Sequence, residues 1–143
     1  MKTEKGVVII AYKPGRSPRF AVLNRKKNWE GWELPKGHLE NDDYEETVRL
    51  EMEEEAGIGE EHLKEIEGTD EVLEWSFERE GEEIKREYKC FLVKVADKAI
   101  IDVEGNPHDE HDSGFFLNRE DTEGLLTHDN QVELLEKVTE QLD

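Results

Sequence analysis

Residues 34–58 read LPKGHLENDDYEETVRLEMEEEAGI, and this stretch predicts an acidic helix after a turn. Asp42 or Asp43 is suited to begin the helix, since an aspartate oxygen accepts hydrogen bonds from the first helical turn. Gly57 is suited to end it, since glycine readily adopts the left-handed conformation that closes many helices. The stretch therefore predicts one helix that ends before Gly57.

Three glutamates of this helix fall on one side of it. A helix turns about 100° per residue, so Glu51, Glu54 and Glu55 share an arc of roughly 100°, whereas Glu53 points nearly the other way. An apolar stripe lies beside that arc and consists of Tyr44, Val48, Met52 and Ala56. Carboxylates at these spacings repel one another, and a bound cation would reverse that effect. The spacing alone fits either a solvated acidic face or a site for a hard divalent ion such as Mg²⁺.

Length and composition indicate one folded domain over residues 1–143. Hydrophobic residues make up 34% of the chain and charged residues 40%, which is polar for a globular protein. The apolar residues nevertheless come in clean runs such as GVVIIAY and CFLVKV, which are typical of buried strands. A chain of this length can bury one hydrophobic core but hardly two.

The net charge of −19 at pH 7 limits the partners that the chain can bind. Such a charge repels phosphates, so it argues against a sequence-independent nucleic-acid binder. A small nucleotide with a polyphosphate chain would need a metal ion in its binding site. The oligomeric state does not follow from the sequence.

The sequence points to a cytoplasmic protein without a membrane partner. Cys90 is the single cysteine and lies in an apolar run, so the chain forms no internal disulfide. The apolar run near the N-terminus is too short for a signal peptide, and no segment approaches the length of a membrane span.

The rest of the chain is predicted to form strands and a terminal helix. The strands are expected over residues 6–12, 20–24, 29–34, 72–79, 87–95 and 114–117, and an amphipathic helix over residues 127–142. The charged segment EGEEIK is expected to form the turn between the last two long strands. Strands on both sides of an internal helix predict an α+β fold, in which a mixed sheet lies between helices.

The stretch from Gly37 to Ile58 resembles the Nudix box, the signature of hydrolases that cleave nucleoside diphosphates linked to another group. When the box is aligned on Gly57, the residues that match it are Glu51, Met52, Glu54, Glu55, Gly57 and Ile58, with Asp42 as the earlier acid. The resemblance implies the Nudix-type α/β/α sandwich with a mixed β-sheet.

Two positions depart from the family pattern. Gly37 lies one residue too close to the helix, so the intervening loop is shortened. Leu50 occupies the place of an arginine that, in the family, orients a glutamate of the box. Arg49 projects about 100° away from that place and cannot substitute for it. The resemblance therefore implies reduced activity or another cation, such as Lys36 or Arg25, in this role.

Segments outside the box resemble the diadenosine tetraphosphate hydrolase branch of the family. These segments are WELPKGHLE before the box, and EHDSGFFL and LLTHDNQVELLEK after it. The branch implies a small-molecule nucleotide substrate and a Glu-His pair, here Glu110 and His111, before an aromatic-rich strand. Neither His38 nor His111 has the sequence spacing of a zinc site.

The resemblance implies a metal site on the acidic helix. Glu51 and Glu55 would hold Mg²⁺, or Mn²⁺ in its place, with Glu54 and the Gly37 carbonyl nearby. The three glutamates are therefore the expected catalytic residues. Glu110 is expected either to act as a further ligand or general base, or to be one of several surface acids.

Substrate-binding residues are expected upstream of the box and in one later strand. Lys36, Arg25 and His38 are candidates for contacts with phosphate. Tyr88 is a candidate to stack on a base, although packing in the core is the more common role of such a ring. The same two interpretations apply to the other large aromatic residues, Trp29, Trp32, Trp75 and Phe115.

The expected reaction is metal-dependent hydrolysis of a pyrophosphate bond in a nucleoside diphosphate derivative, with a dinucleoside polyphosphate such as diadenosine tetraphosphate favoured. Other substrates in the same class are nucleoside triphosphates, sugar nucleotides, RNA 5′ ends and inositol pyrophosphates. Because of Leu50, a nucleotide-binding or regulatory module with little turnover stays open as the alternative.

Overall fold

A computed structural model describes residues 1–104 and 109–142, and a seven-stranded mixed sheet forms its centre. The strands are β1 Lys2–Lys13, β2 Arg19–Arg25, β3 Gly31–Glu33, β4 Lys36–His38, β5 Leu63–Arg79, β6 Glu82–Val95 and β7 His111–Asn118. The helices are α1 Tyr44–Ala56, α2 Arg119–Leu125 and α3 Asp129–Thr139, and single 3₁₀ turns cover Glu60–His62 and Glu140–Leu142.

The strand order brings the N-terminal strand to the middle of the sheet. The main order is β3-β2-β1-β6-β5, with β4 paired to β1 and β7 paired to β2. β1 and β6 run parallel, whereas the other described strand pairs are antiparallel. β4 and β1 are therefore held directly beside each other, which positions Gly37 and the residues around it.

The alternation of side chains along β1 separates two hydrophobic cores. Val7 and Ile9 face one side of the sheet and pack in a cluster with Val48 and Met52 of α1. The alternate residues Val8 and Ile10 face the other side, where they pack in a cluster with residues of α3, namely Leu134, Leu135 and Val138. Helices therefore cover both faces of the sheet, which confirms the predicted α/β/α sandwich of the Nudix type.

Both ends of α1 follow the chemistry that the sequence indicates. Asp43, rather than Asp42, is the N-cap, and its Oδ1 accepts a hydrogen bond of 3.0 Å from the Glu46 amide. At the other end Gly57 has φ 68°, and its amide donates to the Glu53 carbonyl at 3.1 Å. The cap and the left-handed glycine fix the length of the helix and the direction of its side chains.

The shortened loop before α1 closes through two residues in the left-handed region. Asn41 has φ 52° and Asp42 has φ 55°, a conformation that asparagine and aspartate tolerate better than most residues. Thr47 braces this turn, since its Oγ1 accepts a 2.9 Å hydrogen bond from the Glu40 amide. The turn explains how the chain reaches α1 with one residue fewer than the family pattern has.

Several elements differ from the sequence-based expectation. β5 begins at Leu63 and β6 at Glu82, both earlier than predicted, and the turn between them is confined to Glu80 and Gly81, with φ 53° and 78°. The segment EGEEIK is therefore mostly strand. β4 and α2 were not predicted, and the terminal helix ends at Thr139. Among the described residues, every helix is too short or too polar to cross a membrane.

Candidate active site

The glutamates of α1 differ in exposure as the helical projection predicts. Glu51 and Glu55 keep only 7% and 3% of their surface exposed, Glu54 is half-buried, and Glu53 is exposed. Met52, between them, is fully buried in the core. The helix therefore directs three carboxylates along the margin of its packed face, where two of them have little contact with water.

Glu51 lies directly against the backbone of β4. A side chain added at Gly37 would collide with the Glu51 carboxylate, so only glycine leaves room for this contact. Burial, followed by the charges of Glu55, Glu54 and Glu110, raises the pKa of Glu51 to about 8. The metal-free site thus holds more negative charge than it can stabilise, and a cation would relieve the repulsion.

His111 bridges two buried carboxylates. Its Nε2 lies 2.7 Å from Oε2 of Glu33 on β3, and its Nδ1 lies 2.9 Å from Oε2 of Glu55 on α1. Burial lowers the pKa of His111, but the neighbouring carboxylates of Glu33 and Glu55 outweigh it and raise the pKa to about 9. The imidazole therefore links the sheet to the acidic helix. The ring is only 4% exposed, so it lies in the interior of the site.

Glu33 is the centre of a buried charge network that the sequence analysis did not identify. Arg25 Nη1 lies 3.0 Å from its Oε2, and Lys36 Nζ lies 3.2 Å from its Oε1. Burial raises the pKa of Glu33, but the hydrogen bond from His111 and the charges of Lys36 and Arg25 hold it at about 2. The sequence does contain a signal for this network. Glu33 lies between Trp32 and Leu34 in a predicted strand, and an ionised side chain in an apolar segment needs charged or hydrogen-bonding partners.

Several basic residues near the box contact acidic side chains. Arg49 points to Glu60, with 3.4 Å between Nε and Oε1, on an exposed part of the surface. Arg25 and Lys36 both contact Glu33, and a role for either of them in orienting the box stays a prediction. His111 is a basic side chain that contacts an α1 glutamate, Glu55.

Glu110 is brought to the acidic site rather than left on an open surface. Its Oε2 lies 3.5 Å from Nη1 of Arg25, and its side chain is 26% exposed. One potential ligand atom from each of Glu55, Glu110 and His111 lies within 4.8 Å of the others. These side chains come from the helix and from the segment that enters β7.

A cavity of about 570 Å³ adjoins this network. Its basic wall includes Arg25, Lys36 and Arg86, and the aromatic side chains that line it are Trp29, Trp75, Phe77 and His128. Arg25 lies 5.6 Å from the centroid of Trp29, and Lys36 lies 5.7 Å from that of Trp75. Because Arg25 and Lys36 also contact Glu33, they connect the cavity to the acids.

Two of the expected substrate-binding residues lie beside the cavity rather than in its wall. Tyr88 is only 2% exposed, its hydroxyl lies 3.0 Å from Nδ1 of His38, and its ring packs against Trp75 at 4.9 Å. Neither Tyr88 nor His38 lines the cavity. Of the two packed rings, Trp75 lines the cavity, whereas Tyr88 belongs to the hydrophobic core.

The fold and this acidic site define the class of the protein, which is that of a pyrophosphohydrolase. The sequence matches the NUDIX domain over residues 2–139, and the chain therefore belongs to the NUDIX domain family. This assignment confirms the resemblance of the box. Enzymes of the family generally use divalent metal ions. No curated protein sequence matches the chain.

Solved structures of the same fold come from several organisms. An Ap4A hydrolase binary complex from C. elegans is 22% identical, with 97% of each chain covered and a TM-score of 0.75. The NUDIX domain of Shewanella oneidensis NrtR, in complex with ADP ribose, is 13% identical, with 100% of this chain and 90% of that chain covered and a TM-score of 0.74. A MutT structure from a study of Aliivibrio salmonicida and Vibrio cholerae is 20% identical, with 98% and 99% covered and a TM-score of 0.67. At these identities the likeness shows the fold alone.

Proposed function

We propose that this chain hydrolyses a pyrophosphate bond in a dinucleoside polyphosphate, with Mg²⁺ as the metal ion, and that residues 1–143 form one Nudix hydrolase domain. The observation that carries the proposal is the position of the α1 carboxylates beside a cavity with both aromatic and cationic walls. The carboxylates suit a hard cation, the cations suit phosphates, and the aromatic rings suit a nucleobase.

The residues present fit a bound divalent ion. Glu51 and Glu55 are buried carboxylates on one edge of α1, and Glu54 is beside them. The close approach of Glu51 to Gly37 and its raised pKa indicate that the ionised form of this carboxylate is poorly stabilised in the metal-free site. Glu51, Glu54, Glu55 and the Gly37 carbonyl would hold the ion, which supplies charge neutralisation of the phosphates and a more acidic bound water.

The side chains around the ion would position the reacting groups. Arg25 and Lys36 would hold non-bridging oxygens of the polyphosphate, because both line the cavity and both carry a positive charge. Glu54 is half-buried and is our candidate to accept the proton of the attacking water, with Glu110 as the alternative base. Positioning and electrostatic stabilisation would then supply most of the rate enhancement, as in phosphoryl transfer generally.

The cavity supports a nucleoside substrate. Its volume of about 570 Å³ lies in the range of small-molecule sites. Trp29 and Trp75 offer ring faces for stacking, and Arg86 adds a cation on the same wall. The choice of a dinucleoside polyphosphate within this class rests on the sequence segments that resemble the diadenosine tetraphosphate hydrolase branch.

A substrate panel tests the proposal directly. The purified chain is incubated with Mg²⁺ and with diadenosine tetraphosphate, nucleoside triphosphates, sugar nucleotides, triphosphorylated RNA and an inositol pyrophosphate, and products are separated by anion-exchange chromatography. We expect the highest kcat/KM for diadenosine tetraphosphate, with mononucleotide products. Binding of the panel without cleavage would favour the nucleotide-binding module that Leu50 suggests, and a higher kcat/KM for another member would reassign the substrate.

A further inference from the structure

We propose that His111, Glu55 and Glu110 form a site for a divalent transition metal ion, such as Mn²⁺, Co²⁺ or Zn²⁺, with the imidazole Nδ1 as a direct ligand. This site goes beyond the proposed Mg²⁺ site on α1, with which it shares Glu55. In the sequence His111 has no zinc-site spacing, and the three residues meet only in the folded chain.

The first argument is the orientation of the imidazole. Nε2 of His111 is 2.7 Å from Glu33 Oε2 and donates its hydrogen to that carboxylate. A metal-binding histidine almost always donates its second ring N–H to a carboxylate, a carbonyl or a water, which leaves the other nitrogen free to coordinate. Glu33, fixed by Arg25 and Lys36, is such a partner, and it turns Nδ1 towards the two other acids.

The second argument is the state of Nδ1 itself. His111 is only 4% exposed, and within residues 1–104 and 109–142 its Nδ1 makes no hydrogen bond. It nevertheless lies 2.9 Å from Glu55 Oε2. Two ligands that coordinate one ion at right angles, each at about 2.1 Å, are separated by about 3 Å. A short contact without hydrogen-bond geometry is therefore the arrangement expected of two neighbouring ligands, and a bound ion would release to solvent the proton that Nδ1 carries in the metal-free protein.

The third argument is the size and chemistry of the cluster. The three ligand atoms lie within 4.8 Å of one another. Ligands on opposite sides of an ion are about 4.2 Å apart when each bond is about 2.1 Å, so rotations of the half-buried Glu110 side chain would complete the site. One imidazole and two carboxylates suit a transition metal better than Mg²⁺, which prefers oxygen ligands and retained waters.

Electron spin echo spectroscopy of bound Mn²⁺ tests this inference without a measurement of activity. One equivalent of Mn²⁺ is added in an amine-free buffer that contains excess Mg²⁺, so that Mg²⁺ occupies the all-oxygen site. We expect ¹⁴N modulation from a directly bound imidazole in the wild-type protein. The His111→Gln variant should lose this modulation, whereas His62→Gln, which alters a histidine in the 3₁₀ turn, should keep it.

A second variant keeps the test decisive if His111→Gln does not fold. Glu110→Gln changes a half-buried side chain, and we expect the Mn²⁺ affinity to fall at least about tenfold while the ¹⁴N modulation persists. Absence of ¹⁴N modulation in the wild type, or modulation that survives in folded His111→Gln, would overturn the inference. An unchanged affinity in Glu110→Gln would do the same.

The Mn²⁺ spectra and the substrate panel can succeed or fail independently of each other. Cleavage of nucleotides with Mg²⁺ alone, together with Mn²⁺ spectra that lack nitrogen, would reject the transition-metal site and retain the hydrolase. Nitrogen modulation in a protein that cleaves nothing in the substrate panel would retain the site and reject the hydrolase.

Discussion

The Nδ1 atom of His111 lies 2.9 Å from Oε2 of Glu55, although the two residues are far apart in the sequence. This contact joins the start of β7, the last strand, to the acidic helix. Through Glu33 it also reaches Arg25 and Lys36, which line the cavity. One short chain of side chains therefore connects the candidate metal ligands to the candidate phosphate ligands.

We expect Glu54→Gln and Glu55→Gln each to lower kcat by roughly 10²–10³-fold, because the first removes the candidate base and the second removes a ligand of the metal ion. The matched control is Glu53→Gln on the exposed side of the same helix, which should keep the wild-type rate. Steady-state kinetics with the best substrate of the panel measures the effect, and circular dichroism confirms folding. Wild-type rates in both site variants would contradict the assignment.

Leu50→Arg tests whether another residue already performs the role of the missing family arginine, which is to orient a glutamate of the box. Because His111 contacts Glu55, we expect the substitution to change kcat little in the wild-type background. In a His111→Gln background it should recover part of the lost kcat, since a cation near the box returns. A double-mutant cycle on kcat measures this coupling. A large increase from Leu50→Arg alone would mean that His111 does not orient Glu55.

The raised pKa of Glu51 predicts a pH-dependent stability of the metal-free protein. Its ordinary value is 4.5 and its value in the fold is about 8. A group with a raised pKa contributes stability below its unfolded value, and that contribution is lost as the pH rises towards 8. Glu51→Gln has no carboxylate to ionise and therefore does not lose this stability. The difference in melting temperature, variant minus wild type, should increase from pH 5 to pH 8.

Thermal melts in a chelating buffer measure this difference, with Glu53→Gln as the exposed control. Added Mg²⁺ should raise the wild-type melting temperature more at pH 8 than at pH 5, because a bound cation stabilises the ionised carboxylate. A difference between Glu51→Gln and the wild type that stays constant with pH would show that Glu51 is not strained by its charge.

Gly37→Ala should disrupt the contact between β4 and α1. The added methyl group would overlap the Glu51 carboxylate, so we expect Mg²⁺ affinity to fall roughly tenfold or more and the melting temperature to decrease. Gly124→Ala in α2 is the control, because the added group there has nothing within 4 Å. Isothermal titration with Mg²⁺ reads out the affinity. Equal affinities in the two variants would place the ion elsewhere.

Trp29→Ala should weaken substrate binding through the aromatic wall of the cavity. Stacking of a base on an aromatic ring contributes about 1–3 kcal/mol, so KM should rise about tenfold or more while kcat changes less. Phe115→Ala is the matched control, since Phe115 is 51% exposed and lies outside the cavity wall. The same KM in Trp29→Ala and the wild type would place the base on another surface.

Much of the fold follows from local sequence signals. The caps of α1 at Asp43 and Gly57 are determined by residues within one turn, and the alternation in β1 is determined by its own side chains. β4 was missed because three residues are too few to show a period, and its pairing with β1 is a tertiary effect. The same reason applies to α2, whose seven residues carry little hydrophobic pattern.

The site was predictable only in part for a related reason. The arc of Glu51, Glu54 and Glu55 is a property of one helix and can be read from spacing. The network around Glu33 joins β2, β3, β4 and the start of β7, so no local window contains it. The burial of Glu33 between Trp32 and Leu34 was the one sign that cations must converge there.

The shared use of Arg25 and Lys36 has a thermodynamic consequence. Each of them neutralises Glu33 and also faces the cavity, so an anion that enters the cavity draws on the same positive charge. Binding of an anion in the cavity is thus coupled to protonation of His111. By thermodynamic reciprocity, each event changes the free energy of the other by the same amount. A bound nucleotide would attract Arg25 and Lys36 to its phosphates, and Glu33, left with less positive charge beside it, would then attract His111 more strongly.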